Sequence, residues 1–138
     1  MTYGAARPLQ VLVISSDSRM RRSIELTLRS AGMTIIGTDS LLAYLARWKD
    51  QTRILDVVVL EAGETDPATI GRIQILALAP ELPPTLLVAG CDTLRLLDEV
   101  RRRPEIEVLL ESFSADQLVE AVNNLAARRA PNHPAVGR

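Results

Sequence analysis

Between Asp56 and Glu61 the chain reads Val57-Val58-Val59-Leu60, with no polar residue to mark a solvent face. A half-exposed strand alternates apolar and polar side chains. One that does not alternate is buried on both faces, as in a parallel sheet covered by helices on each side. This strand is read over Ile54 to Leu60, and the rest of the chain supplies what such a sheet needs.

Gln10–Ile14, Thr34–Gly37, Thr85–Ala89 and Ile106–Leu110 are further short apolar runs with strand character. Between them lie stretches with helical spacing. Arg19 to Ala31 carries Met20, Ile24 and Leu28, follows the capping residues Ser15-Ser16-Asp17-Ser18, and ends at Gly32. Leu41 to Asp50 is read as a second helix with Leu42, Leu45 and Trp48 inward. Asp66-Pro67 opens a third through Ile70, Ile73 and Leu76. Asp92 or Thr93 opens a fourth that runs to about Arg103, with Leu94, Leu97 and Val100 inward. Ser114 and Gln117 have capping-box spacing for a fifth, ending near Arg129. Strands alternating with helices predict an α/β doubly wound fold with a five-stranded parallel sheet. Sites in such folds lie beyond the carboxyl ends of the strands.

At 138 residues the chain suits one domain, placed at 9–129, with 1–8 and 130–138 as flexible termini. Aromatics are 3% of residues, so the core must be aliphatic. The net charge of −1 gives no global attraction to nucleic acid or membrane, and no run approaches the ~18 apolar residues of a membrane span. The single Cys91 cannot make an intramolecular disulfide, and the N-terminus has no signal-peptide pattern. A cytoplasmic location is expected. Cys91 is read as a small buried apolar group.

The segments Leu12 to Arg22, Asp56 to Glu61, and Leu110-Glu111-Ser112-Phe113-Ser114 followed by Leu118 resemble three signature stretches of the response regulator receiver domain. The resemblance spans roughly Leu9 to Arg128. It implies a CheY-like, flavodoxin-like (βα)5 fold of strand order 2-1-3-4-5, working in two-component signal transduction.

The resemblance also implies where phosphorylation chemistry would sit, and those positions are substituted. The phosphoacceptor aspartate matches Glu61. The acidic pair that holds Mg²⁺ matches Ser15 and Ser16, with Asp17 one residue further on. The hydroxyl, lysine and aromatic positions match Ala89, Glu111 and Val108. Hydroxyls are poor ligands for a hard dication. A pocket with Glu111 in place of lysine lacks the cations that neutralise a transferring phosphoryl group. The expectation is an atypical pseudo-receiver, phosphorylation-independent, with no catalytic residues, metal or cofactor.

Glu61 as a mimic of phosphoaspartate lacks the relay at Ala89 and Val108. A solvated carboxylate at a strand end is the expected state. The alternative is a ligand- or metal-responsive domain in which Glu61, Glu111 and Asp17 share a pocket. The runs Arg101-Arg102-Arg103 and Arg128-Arg129 suit the last turns of helices better than an acidic partner. Short basic runs without aromatics exclude nucleic acid as a direct partner, and no Gly-rich loop or Ser-His-Asp set supports an enzyme. The partner expected is a protein, either a signalling protein or an output domain. Leu96 and Val119 lie off the inward stripes of their helices. If they share one patch, it marks an interface, including a homodimer, on the face of fourth helix, fifth strand and fifth helix.

Overall fold

The apolar run ahead of Glu61 forms the central strand. In the computed structural model, residues 7–36, 55–63, 67–98 and 100–136 are described. The elements are β1 (Gln10–Ile14), α1 (Ser18–Ser30), β2 (Thr34–Ile36), β3 (Val57–Ala62), α2 (Pro67–Leu78), β4 (Thr85–Ala89), two 3₁₀ segments (Cys91–Leu97 and Val100–Arg102), β5 (Ile106–Leu110) and α3 (Ala115–Val136). The five strands form one sheet in the order β2-β1-β3-β4-β5, every neighbouring pair parallel. The doubly wound sheet and its order are those expected.

Strand alternation sorts the core into two layers. Leu12, Ile14, Val58, Leu60, Leu87 and Ala89 face the layer completed by Ile73 and Leu76 of α2 and by Leu97 and Val100. Val11, Val13, Val57, Val59, Leu86 and Val88 face the other, completed by Ile24 and Leu28 of α1 and by Leu118, Val122 and Leu125 of α3. All six residues of β3 are buried.

Local chemistry fixes the ends of elements. Gly32 has φ +89°, a conformation that costs a residue with a Cβ. Its N–H donates to Arg29 O and that of Met33 to Leu28 O, which caps α1, while Met33 packs in the same layer as Leu28. The capping box forms as read: Ser114 N–H donates to Gln117 Oε1 at 2.7 Å, and Gln117 N–H to Ser114 Oγ at 3.1 Å. Arg7 grips Asp56 with two nitrogens at 2.8 and 3.1 Å, and Gln10 N–H donates to the same carboxylate at 2.7 Å, tying β1 to the approach of β3.

Four expectations change. The segment after β4 is not an α-helix but two 3₁₀ pieces. Thr93 is fully buried and donates both N–H and Oγ1–H to Gly90 O, which favours the tighter i→i+3 turn. β3 extends through Glu61 and Ala62, because these pair with Val88 and Ala89 at the end of β4. Cys91 is exposed, since it opens the first 3₁₀ segment while Thr93 and Leu97 take the inward places. α3 runs on to Val136, past Arg129. The helix read over Leu41 to Asp50, the cap Asp66, and residues 1–6 and 137–138 of the expected termini lie outside the described residues. Among the described residues no helix is long and apolar enough to cross a membrane.

Candidate functional site

Ser15 follows the last residue of β1, and Glu61 is the fifth residue of β3. Both point into the α1/α3 layer, being two residues beyond Val13 and Val59. β1 and β3 are paired through Ile14 and Leu60, which brings the two side chains together. Ser15 Oγ donates to Glu61 Oε1 at 2.9 Å, and Gly63 N–H donates to Glu61 Oε2 at 2.8 Å. Glu61 is only 4% exposed. The solvated strand-end carboxylate is therefore corrected. The ladder to β4 carries Glu61 inside the fold, and two donors offset the burial of its charge.

Glu111 enters the same place from the end of β5, with its N–H on Ala89 O at 3.0 Å. Its carboxylate lies over Gly63. A Cβ at Gly63 would fall 1.6 Å from Glu111 Oε2 and 2.6 Å from Glu61 Oε2. Two oxygens that close to one point are close to each other, so Glu61 and Glu111 share the pocket. A Cβ at Gly90 would meet Gly63 O at 2.9 Å and Glu111 Oε1 at 3.3 Å. The two glycines thus leave the space that the Glu111 carboxylate fills.

The remaining positions stand apart from this pair. Asp17 caps α1: its Oδ1 accepts from Arg19 N–H at 2.9 Å and Met20 N–H at 3.2 Å. The three-acid pocket of Glu61, Glu111 and Asp17 is thereby corrected. Among the described residues no three His, Cys, Asp or Glu side chains could hold a metal ion. Ser16 is exposed, and its Oγ accepts from Arg72 Nη1 of α2 at 2.6 Å. Ser15 and Ser16, spent on Glu61 and Arg72, do not fit a hard dication. Ala89 is fully buried, and Val108 packs against the α2-side layer.

Leu96 is 40% exposed on the 3₁₀ segment that covers the α2 side of the sheet. Val119 is half-buried on the opposite side and lines a groove between α3 and α1. They share no patch, because the sheet lies between the layers they belong to. The Arg runs are largely used internally. Arg103 Nη1 donates to Leu76 O and Ala79 O at the end of α2, Arg101 pairs with Asp98, and Arg128 pairs with Glu107.

Sequence reading missed the roles of Gly63, Gly90 and Arg72. The signal available was a glycine just past both β3 and β4, beside strand ends that carry acids.

No family model and no curated protein matches the sequence. Solved structures match in fold. A response regulator receiver domain protein from Clostridium thermocellum superposes with TM-score 0.68 at 20% identity, covering 88% of this chain and 97% of its own. The receiver domain of the Francisella response regulator 1452 gives 0.66 at 21%, covering 88% and 98%. A pilus assembly-related protein from Burkholderia pseudomallei gives 0.62 at 21%, covering 86% and 90%. With its sheet order and two helical layers, the chain has the fold of response regulator receiver domains.

Proposed function

We propose that this chain is a receiver-like module that works by protein contact and does not use phosphorylation. The observation that carries the reading is the pair of carboxylates at the strand ends. Both oxygens of Glu61 are engaged by Ser15 and Gly63, and the Glu111 carboxylate fills the space beside them. An incoming phosphoryl group is anionic. It needs a free carboxylate oxygen, a cation and an open approach. Here it meets a second carboxylate where charge neutralisation is required.

The output is contact with a signalling protein or an output domain. Exposed Leu96 and Leu110 support a contact surface on the α2 side of the β5 edge. The neighbour named for pilus assembly supports use of this fold outside response regulators proper.

The test is an amide NMR spectrum of the labelled chain with Mg²⁺ and beryllofluoride, a phosphoryl mimic. Resonances of Ser15, Gly63, Gly90 and Glu111 are expected to stay in place. A saturable shift of those resonances would overturn the reading.

A further inference from the structure

α1 carries a row of cations that make no ion pair among the described residues. Arg19, Arg22 and Arg29 are exposed and Arg21 is half-buried. Among the described residues none of the four makes an ion pair or a side-chain hydrogen bond. Glu25 is the one acid among them. Leu26 stands in the same row, four residues after Arg22 and three before Arg29, and is 54% exposed.

Beside this row runs a groove of about 730 Å³, floored and walled by Thr27, Ser30, Ala31, Ala115, Val119 and Asn123. Its far wall is acidic. Asp116 and Glu120 of α3 line it, both exposed and neither in an ion pair among the described residues. The surface therefore has three parallel strips: an arginine ridge with a leucine, a trough of small residues, and an acidic ridge. The trough keeps the two ridges from neutralising each other within one molecule.

A two-fold axis pairs a surface with itself, so a surface with adjacent opposite strips is complementary to its own copy. We propose that a second copy of this chain docks here, through α1 and α3. Leu26 of each copy, between Arg22 and Arg29, lies against the α3 ridge of the other, and the two troughs face each other. Arg22 and Arg29 of each meet Asp116 and Glu120 of the other. Both contacts form twice, and the unpaired charges of both ridges are satisfied together. This surface is separate from the strand-end pocket and from the β5 edge, so it stands or falls apart from the proposed function.

The test is sedimentation velocity of the full chain over a micromolar to millimolar series. Two charge-reversed variants accompany it, Arg22→Glu/Arg29→Glu and Asp116→Lys/Glu120→Lys, with circular dichroism to verify folding. The native chain is expected to associate, and more weakly as salt rises. Each variant alone sets like charges against like and loses about tenfold or more in association. An equimolar mixture of the two variants restores opposite charges at both contacts and is expected to associate as the native chain does. Should a reversal unfold the chain, Leu26→Glu replaces it and is expected to abolish association. A native chain that stays monomeric, a mixture that stays monomeric, or Leu26→Glu that associates normally each overturns the proposal. A monomer that instead captures an acidic peptide through these arginines does so too.

Discussion

At the carboxyl ends of the strands a carboxylate is buried and held by two donors. Along α1, four guanidinium groups have no partner among the described residues. The strand-end charges are integrated into the molecule, and the α1 charges are not. A buried charge must be satisfied by its own fold or it destabilises that fold. A solvated charge is free to be satisfied by something else. The difference separates residues that maintain the structure from residues available for contact, and it reverses the usual reading of this fold's strand ends as its place of action. Arg103, on the carbonyls that close α2, falls with the first group despite its charge.

The comparison is sharpened most by Glu61→Ala. It takes from the Gly63 N–H its acceptor and from the Ser15 hydroxyl one of two, and urea unfolding is expected to register a loss of about 1–3 kcal/mol. A variant as stable as the native chain would mean that the carboxylate is not held inside as described. A smaller effect belongs to the shared space over Gly63. Gly63→Ala is expected to destabilise, and to cost at least about 0.5 kcal/mol less when Glu111→Ala has already removed the side chain that lies there. Equal costs in the two backgrounds would remove Glu111 from the pocket. At the other extreme, Arg22→Ala is expected to change monomer stability by no more than about 0.5 kcal/mol, as surface substitutions usually do. A larger loss at low protein concentration would place Arg22 with the structural charges and break the contrast.

How much of this could be read from residues alone follows from distance along the chain. The Val57–Leu60 run announces a doubly buried strand by itself. Ser114 and Gln117, three apart, announce their reciprocal cap, and Gly32 announces the end of α1. These are local interactions. The state of Glu61 is not local, because its donor Ser15 lies 46 residues away and reaches it only through the β1–β3 register. The same holds for Glu111 over Gly63. The periodicity of the segment after β4 is ambiguous. Leu94, Leu97 and Val100 are spaced every third residue, which suits a 3₁₀ turn as well as an α-helix, and the hydroxyl of Thr93 decides between them. Leu96 and Val119 each look like strays from a helical stripe. Only the layering of the sheet tells that they belong to opposite sides.

The Ser15 hydroxyl is a junction. Its oxygen accepts from the Asp17 N–H at 2.9 Å, and it lies 2.9 Å from both Asp17 O and Glu61 Oε1. A hydroxyl has one proton to give, so the two acceptors compete for it. Asp17 is also the residue whose side chain holds the first turn of α1. Glu61 and the arginine ridge are therefore three hydrogen bonds apart, through Ser15 and Asp17. Any event that withdraws Glu61 hands the proton to the backbone that seats α1, and the sheet's interior gains a lever on the helix that faces outward.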